Sequence, residues 1–164
     1  MIARYFPSPP GTVFVGAAGG GREALALARR GYRVIAFEPA RPLATSLADC
    51  GGELPVETCI GRYEKLPEVN SLTHSSVAVD LRSRAPFAAV ILGWASFSHL
   101  RSNESCINTL REFGRLTRGP TLVSFFPAST FGPNTGVGGR FGMGIGYYRT
   151  FSGGDIAELA KPPA

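Results

Sequence analysis

The stretch Gly16-Ala-Ala-Gly19-Gly-Gly21 follows a short apolar run, Thr12–Val15, and opens a helical pattern. Glycines let a backbone come close to a ligand because no Cβ intervenes. The helix start adds unpaired N–H groups and the positive end of a dipole. About 20 residues further on, Glu38 ends a second apolar run, and a carboxylate there can accept both ribose hydroxyls of an adenosine. Together the two features point to a nucleotide site rather than a tight turn and a solvated glutamate. A second group of reactive side chains lies in Trp94-Ala-Ser96-Phe-Ser98-His99. His99 is the candidate base, because imidazole titrates near neutrality. Ser96 is a candidate substrate contact, Trp94 a candidate stacking surface, and His74 has no assigned role.

Strands and helices must alternate to hold these groups. Thr12–Val15 reads as the first strand, and Arg22–Arg30 as a helix stopped by Gly31. Tyr32–Phe37 is the second strand, rich in aromatic and β-branched residues. Ala40–Asp49 is a second helix with Pro42 in its first turn. Val56–Ile60 is a third strand. Residues 64–84 are ambiguous, with a helix expected near Ser76–Ser83. Phe87–Leu92 is a continuous apolar run, as a strand buried on both faces should be. A helix of about Asn103–Arg118 and a strand Pro120–Phe126 follow. Alternation of this kind implies βαβ units and a parallel sheet. The glycine-rich stretch from Pro127 to Gly146 reads as a loop. Phe131–Gly146 suits a lid over an acceptor pocket, with Phe141 as a substrate contact. Ser152-Gly-Gly-Asp155 reads as a capping box for a short helix, Ser152–Ala160.

Two cofactor classes fit the glycine turn. Gly19-Gly-Gly21-Arg-Glu-Ala24 matches G-x-G-x-x-G/A, the dinucleotide pattern, so an NAD- or FAD-binding oxidoreductase fragment is one reading. The turn is long for that pattern, since Gly16-Ala17-Ala18 precede it. VFVGAAGGGREALALARRGYRVIAFEPA also resembles the first motif of class I S-adenosylmethionine-dependent methyltransferases. The resemblance continues through FAAVILGWASFSHL and REFGRLTRGPTLVSFF, where Leu116-Thr-Arg-Gly119-Pro120 occupies the turn before the family's fifth strand. It covers about Thr12 to Phe126. It implies S-adenosyl-L-methionine as cofactor, a small-molecule acceptor, and a Rossmann-like α/β three-layer sandwich with strand order 3-2-1-4-5. In this likeness Gly16, Ala17, Ala18, Gly19 and Gly21 pass the cofactor's amino-acid part. Glu38 holds the ribose, Pro39 borders the adenine, and Arg62, Tyr63 and Glu64 lie near it. Gly93 and Trp94 flank the methionine portion. Val15 and Ala88 depart from the family, standing where acidic residues are common. The chain stops at Lys161-Pro-Pro-Ala, where the family's last strands would begin. The resemblance therefore implies about five strands with strands 6 and 7 absent. An exposed fifth-strand edge would then invite a homo-dimer. A non-catalytic cofactor-binding or association domain is a further alternative.

Bulk composition narrows the class. The 164 residues suit one domain. Hydrophobic residues at 44% against 18% charged exclude a disordered chain. Of the 17 cations, 15 are arginine, and they are scattered, with Arg29-Arg30 the longest run. Nucleic-acid binders cluster such charge, so no nucleic-acid partner is expected. No apolar run approaches the ~20 residues of a membrane span, and prolines 7, 9 and 10 break any leader-like segment. A cytoplasmic protein is expected. Cys50, Cys59 and Cys106 have no metal spacing, so no metal site is expected.

Overall fold

The computed structural model describes residues 5–73, 77–127, 138–141, 144–147 and 150–151. Strand β1 (Thr12–Gly16) is followed by helix α1 (Arg22–Ala28), β2 (Arg33–Glu38), α2 (Arg41–Gly51) and β3 (Val56–Ile60). Next come β4 (Glu68–Ser71), β5 (Ala78–Asp80), β6 (Ala89–Leu92), α3 (Asn103–Leu116) and β7 (Thr121–Val123). These strands form one sheet in the order β5-β4-β3-β2-β1-β6-β7. The five strands β3-β2-β1-β6-β7 are mutually parallel. Their order is the predicted 3-2-1-4-5. Outside the sheet, β8 (Phe126–Pro127) pairs with β11 (Thr150–Phe151), and β9 (Gly138–Phe141) pairs with β10 (Gly144–Tyr147).

The expected five-strand sheet with two strands absent is corrected here, because the sheet has seven strands. The added pair, β4 and β5, comes from the ambiguous segment and extends the sheet antiparallel beyond β3. The helix expected near Ser76–Ser83 does not form over the residues described there. Along β4, Val69 and Ser71 are buried while Glu68 and Asn70 are exposed, the period of two that belongs to a strand. After β5, Leu81–Arg84 makes one 3-10 turn, capped where Asp80 Oδ1 accepts from the Arg82 N–H at 2.9 Å. The expected terminal helix Ser152–Ala160 and most of the proposed lid lie outside the described residues.

Both sheet faces are apolar because the central strands alternate between two buried layers. Val13, Val15, Val34 and Ala36 pack with Ala24, Leu27 and Leu47 of α1 and α2. On the other face Phe14 stacks between Phe37, Phe87 and Phe113, with ring centroids 5.3–5.7 Å apart. Phe113 belongs to α3, whose buried positions Cys106, Thr109, Phe113 and Leu116 follow helical spacing. Ile107 and Leu110, beside that stripe, are half-buried. Ser102 caps the helix, its Oγ accepting from the Ser105 N–H at 3.1 Å.

Candidate active site

Register brings the reactive segments to one level. Gly16 lies beside Phe37 on β2 and Leu92 on β6, and Glu38 lies beside Ile60 on β3. The turns after these strand ends surround a cleft of about 880 Å³, within the ~300–1,000 Å³ of small-molecule sites. It lies beyond the carboxyl ends of parallel strands, where ligands bind in such sheets.

Glu38 forms part of the cleft wall and is only 6% exposed. Its Oε2 accepts from the Gly19 N–H and its Oε1 from the Ala40 N–H, each at 2.9 Å. The two donors fix the carboxylate in place. Each oxygen keeps a second lone pair for a ligand hydroxyl. The glycine turn is itself pinned to β2, because the Ala18 N–H donates to the Phe37 carbonyl at 2.9 Å.

Two glycines shape the site from beneath. Gly21 has φ +89°, and a Cβ there would meet Leu47 at 2.2 Å. Its role in this fold is to let α1 approach α2, and it does not line the cleft. Gly93 donates to the Gly16 carbonyl at 2.7 Å, and a Cβ on it would meet the Ala17 carbonyl oxygen at 2.4 Å. Only glycine lets the β1 and β6 ends approach this closely. Ala17 and Ala95, at φ 49° and 51°, are the non-glycine residues in the left-handed region among those described. Each costs of order 1 kcal/mol, and both lie in the turns that frame the cleft.

Tyr63 and Ser96 tie the turns after β3 and β6 together, with their hydroxyls 2.6 Å apart. The Tyr63 ring stands edge-on to Phe37, at a 5.2 Å centroid distance. Burial is the main reason its phenol pKa is raised well above the ordinary range. The Ser96 hydrogen bond opposes the shift, and Glu38 and Glu64 add to it. This tyrosine is therefore a neutral, structural hydroxyl at all ordinary pH.

Of the residues singled out from sequence, the cleft brings together Ala17, Gly19, Glu38, Pro39, Tyr63 and Glu64 on one side. Trp94, Ser96 and His99 complete it on the other. Gly16, Ala18, Gly21 and Gly93 lie behind this surface and hold it in shape. Phe141 lies on β9, and its side chain is outside the described residues. Arg62 also lines the cleft, as expected beside Tyr63 and Glu64, while sequence reasoning missed Leu43, Leu100 and Arg101 and did not give Phe37 a place in the cleft wall. Pro42 marked the helix start but gave no sign that Leu43, one residue on, would face the cleft. Among the described residues, no group of His, Cys, Asp and Glu could hold a metal, and no helix is long and apolar enough to cross a membrane.

No protein-family model matches the sequence, and no curated protein matches it. Solved structures do. A SAM-dependent methyltransferase from Methanosarcina mazei superposes with TM-score 0.73 at 11% identity, over 96% of this chain and 80% of that one. The CcbJ methyltransferase from Streptomyces caelestis gives 0.61 at 19% identity, over 78% of this chain and 50% of that one. The [4+2]-cyclase SpnF gives 0.67 at 17% identity, over 97% of this chain and 53% of that one. The chain thus spans about half the length of CcbJ and of SpnF. A methyltransferase and a cyclase in one set of neighbours illustrate that fold alone does not set chemistry. What the likeness does show is architecture: the chain has the Rossmann-like fold of class I S-adenosylmethionine-dependent methyltransferases.

Proposed function

We propose that this chain transfers a methyl group from S-adenosylmethionine to a small-molecule acceptor. The observation that carries the reading is Glu38, a buried carboxylate held by two backbone donors at the wall of the cleft. The residues present fit the cofactor. Glu38 holds the ribose hydroxyls. Ala17 and Gly19 offer a backbone surface to the methionine part, with Trp94 on its other side and Gly93 behind it. Pro39, Leu43, Tyr63 and Glu64 border the adenine. The cofactor supplies an activated methyl group on a sulfonium.

The protein's own task is alignment and exclusion of water. The Tyr63–Ser96 hydrogen bond keeps the two cleft walls at a fixed separation. His99, exposed at the cleft wall, is placed to take a proton from an acceptor hydroxyl or amine. Titration calorimetry with S-adenosylmethionine, S-adenosylhomocysteine and NAD tests the reading. Binding of the first two without NAD is expected. NAD binding without the sulfonium overturns it.

A further inference from the structure

The two walls of the cleft differ in charge. On the wall after β3, Arg62 and Glu64 carry opposite signs two residues apart. The wall formed by residues 94–101 has His99 and Arg101 and no carboxylate, the next acid being Glu104. This second wall also carries Trp94, which is 65% exposed. Trp94 meets Phe126 edge-on, with centroids 6.3 Å apart and the rings at 75°. That contact steadies the indole while most of its surface stays open. The exposed indole and the Arg101 guanidinium, both lining the cleft on this wall, offer an aromatic surface and a cationic partner together.

Resting on the methyl-transfer reading, we propose that this wall binds the acceptor, and that the acceptor is a planar aromatic compound carrying a carboxylate. The ring lies against Trp94, since aromatic surfaces pack face-offset or edge-on with a gain beyond area alone. The carboxylate is held by Arg101, whose planar fork matches it in two parallel hydrogen bonds and whose five donors accommodate an existing neighbour as well. Neither group selects alone, because an arginine attracts any anion and an indole stacks on any ring. Their combination rejects neutral phenols and non-aromatic acids.

Trp94 is the sole tryptophan of the chain, so its fluorescence reports occupancy of this wall directly. The experiment titrates the full chain with benzoate, 4-hydroxybenzoate, phenol and cyclohexanecarboxylate. Excitation is at 295 nm, with and without saturating S-adenosylhomocysteine, and free tryptophan corrects for absorbance. The two aromatic acids are expected to quench saturably. Phenol and cyclohexanecarboxylate should bind at least tenfold more weakly. Arg101→Ala should weaken the aromatic acids about tenfold, while Arg111→Ala, which removes an exposed charge on α3 away from the cleft, leaves them unchanged. Equal affinity for phenol, no saturable quench by either acid, or an indifferent Arg101→Ala variant each overturns the inference. So does an Arg101→Ala variant that weakens S-adenosylhomocysteine in calorimetry but not the acids, since Arg101 would then serve the cofactor's carboxylate. Loss of the cofactor reading appears separately, as S-adenosylhomocysteine failing to bind the unaltered chain.

Discussion

Replacing Glu38 by alanine should cost far more in cofactor binding than in folding. The carboxylate is buried, and its free lone pairs face the cleft. Two hydroxyl donors from a ribose would make two hydrogen bonds to a charged acceptor, each worth about 1.5–3 kcal/mol. Their joint loss is about 3–6 kcal/mol, or a Kd raised by roughly 10²- to 10⁴-fold. The folding side is smaller. Glu38→Ala deprives the Gly19 and Ala40 N–H groups of their acceptor, but Ala40 is exposed and Gly19 half-buried. Water can replace the lost partner, so about 1–2 kcal/mol of stability is at stake. Glu38→Gln gives a second point on the scale. Its amide oxygen can keep one backbone bond, but its NH₂ group faces the other N–H. Its affinity should fall between those of the parent chain and the alanine variant. Calorimetry with S-adenosylhomocysteine at 25 °C gives the affinities, and urea unfolding gives the stabilities. A folded Glu38→Ala chain that binds within threefold of the parent would refute the assignment of Glu38 to the ribose.

Three other outcomes follow from the same geometry. Gly93→Ala forces a Cβ against two backbone carbonyls, at 2.4 and 2.8 Å, so overpacking should cost about 1–3 kcal/mol. The urea midpoint measures this, and an unchanged midpoint means the strand ends can separate freely. Tyr63→Phe and Ser96→Ala should each lose about 1 kcal/mol, and the double variant little more than either alone. Full additivity in that cycle would show that the 2.6 Å contact contributes nothing. Burial, helped by Glu57 and opposed by Arg84, pushes the Cys59 thiol up from 9.0 to about 12. Between those values the unfolded chain releases a proton that the folded chain retains. Stability should therefore fall as pH rises above about 9, by up to about 1.4 kcal/mol per unit from this thiol. Cys59→Ala should flatten that slope in urea unfolding, and an identical slope would remove Cys59 as its cause.

The site was more legible than the sheet edge, and the reason is locality. Glu38 and the glycine turn sit at the ends of apolar runs, and a parallel sheet puts the ends of its strands at one level. Sequence position alone therefore carried them into a common cleft. Strands β4 and β5 had no such support. Their alternation spans only four and three residues, and they are held by antiparallel pairing to β3 and to each other. The wall residues Leu43, in the first turn of α2, and Arg101, just before α3, likewise carry no local mark. Ala17 and Ala95 hid a different way. Alanine gives no sign of a positive φ, as glycine does, yet both adopt one where the cleft is framed. Gly21 shows the reverse, for the glycine was conspicuous but its reason is Leu47 on the neighbouring helix rather than a ligand. A glycine in a motif thus marks a close approach without naming what approaches. The register of strand ends, together with a carboxylate tied down by backbone donors, separates the glycine that faces the cleft from the one that faces a helix.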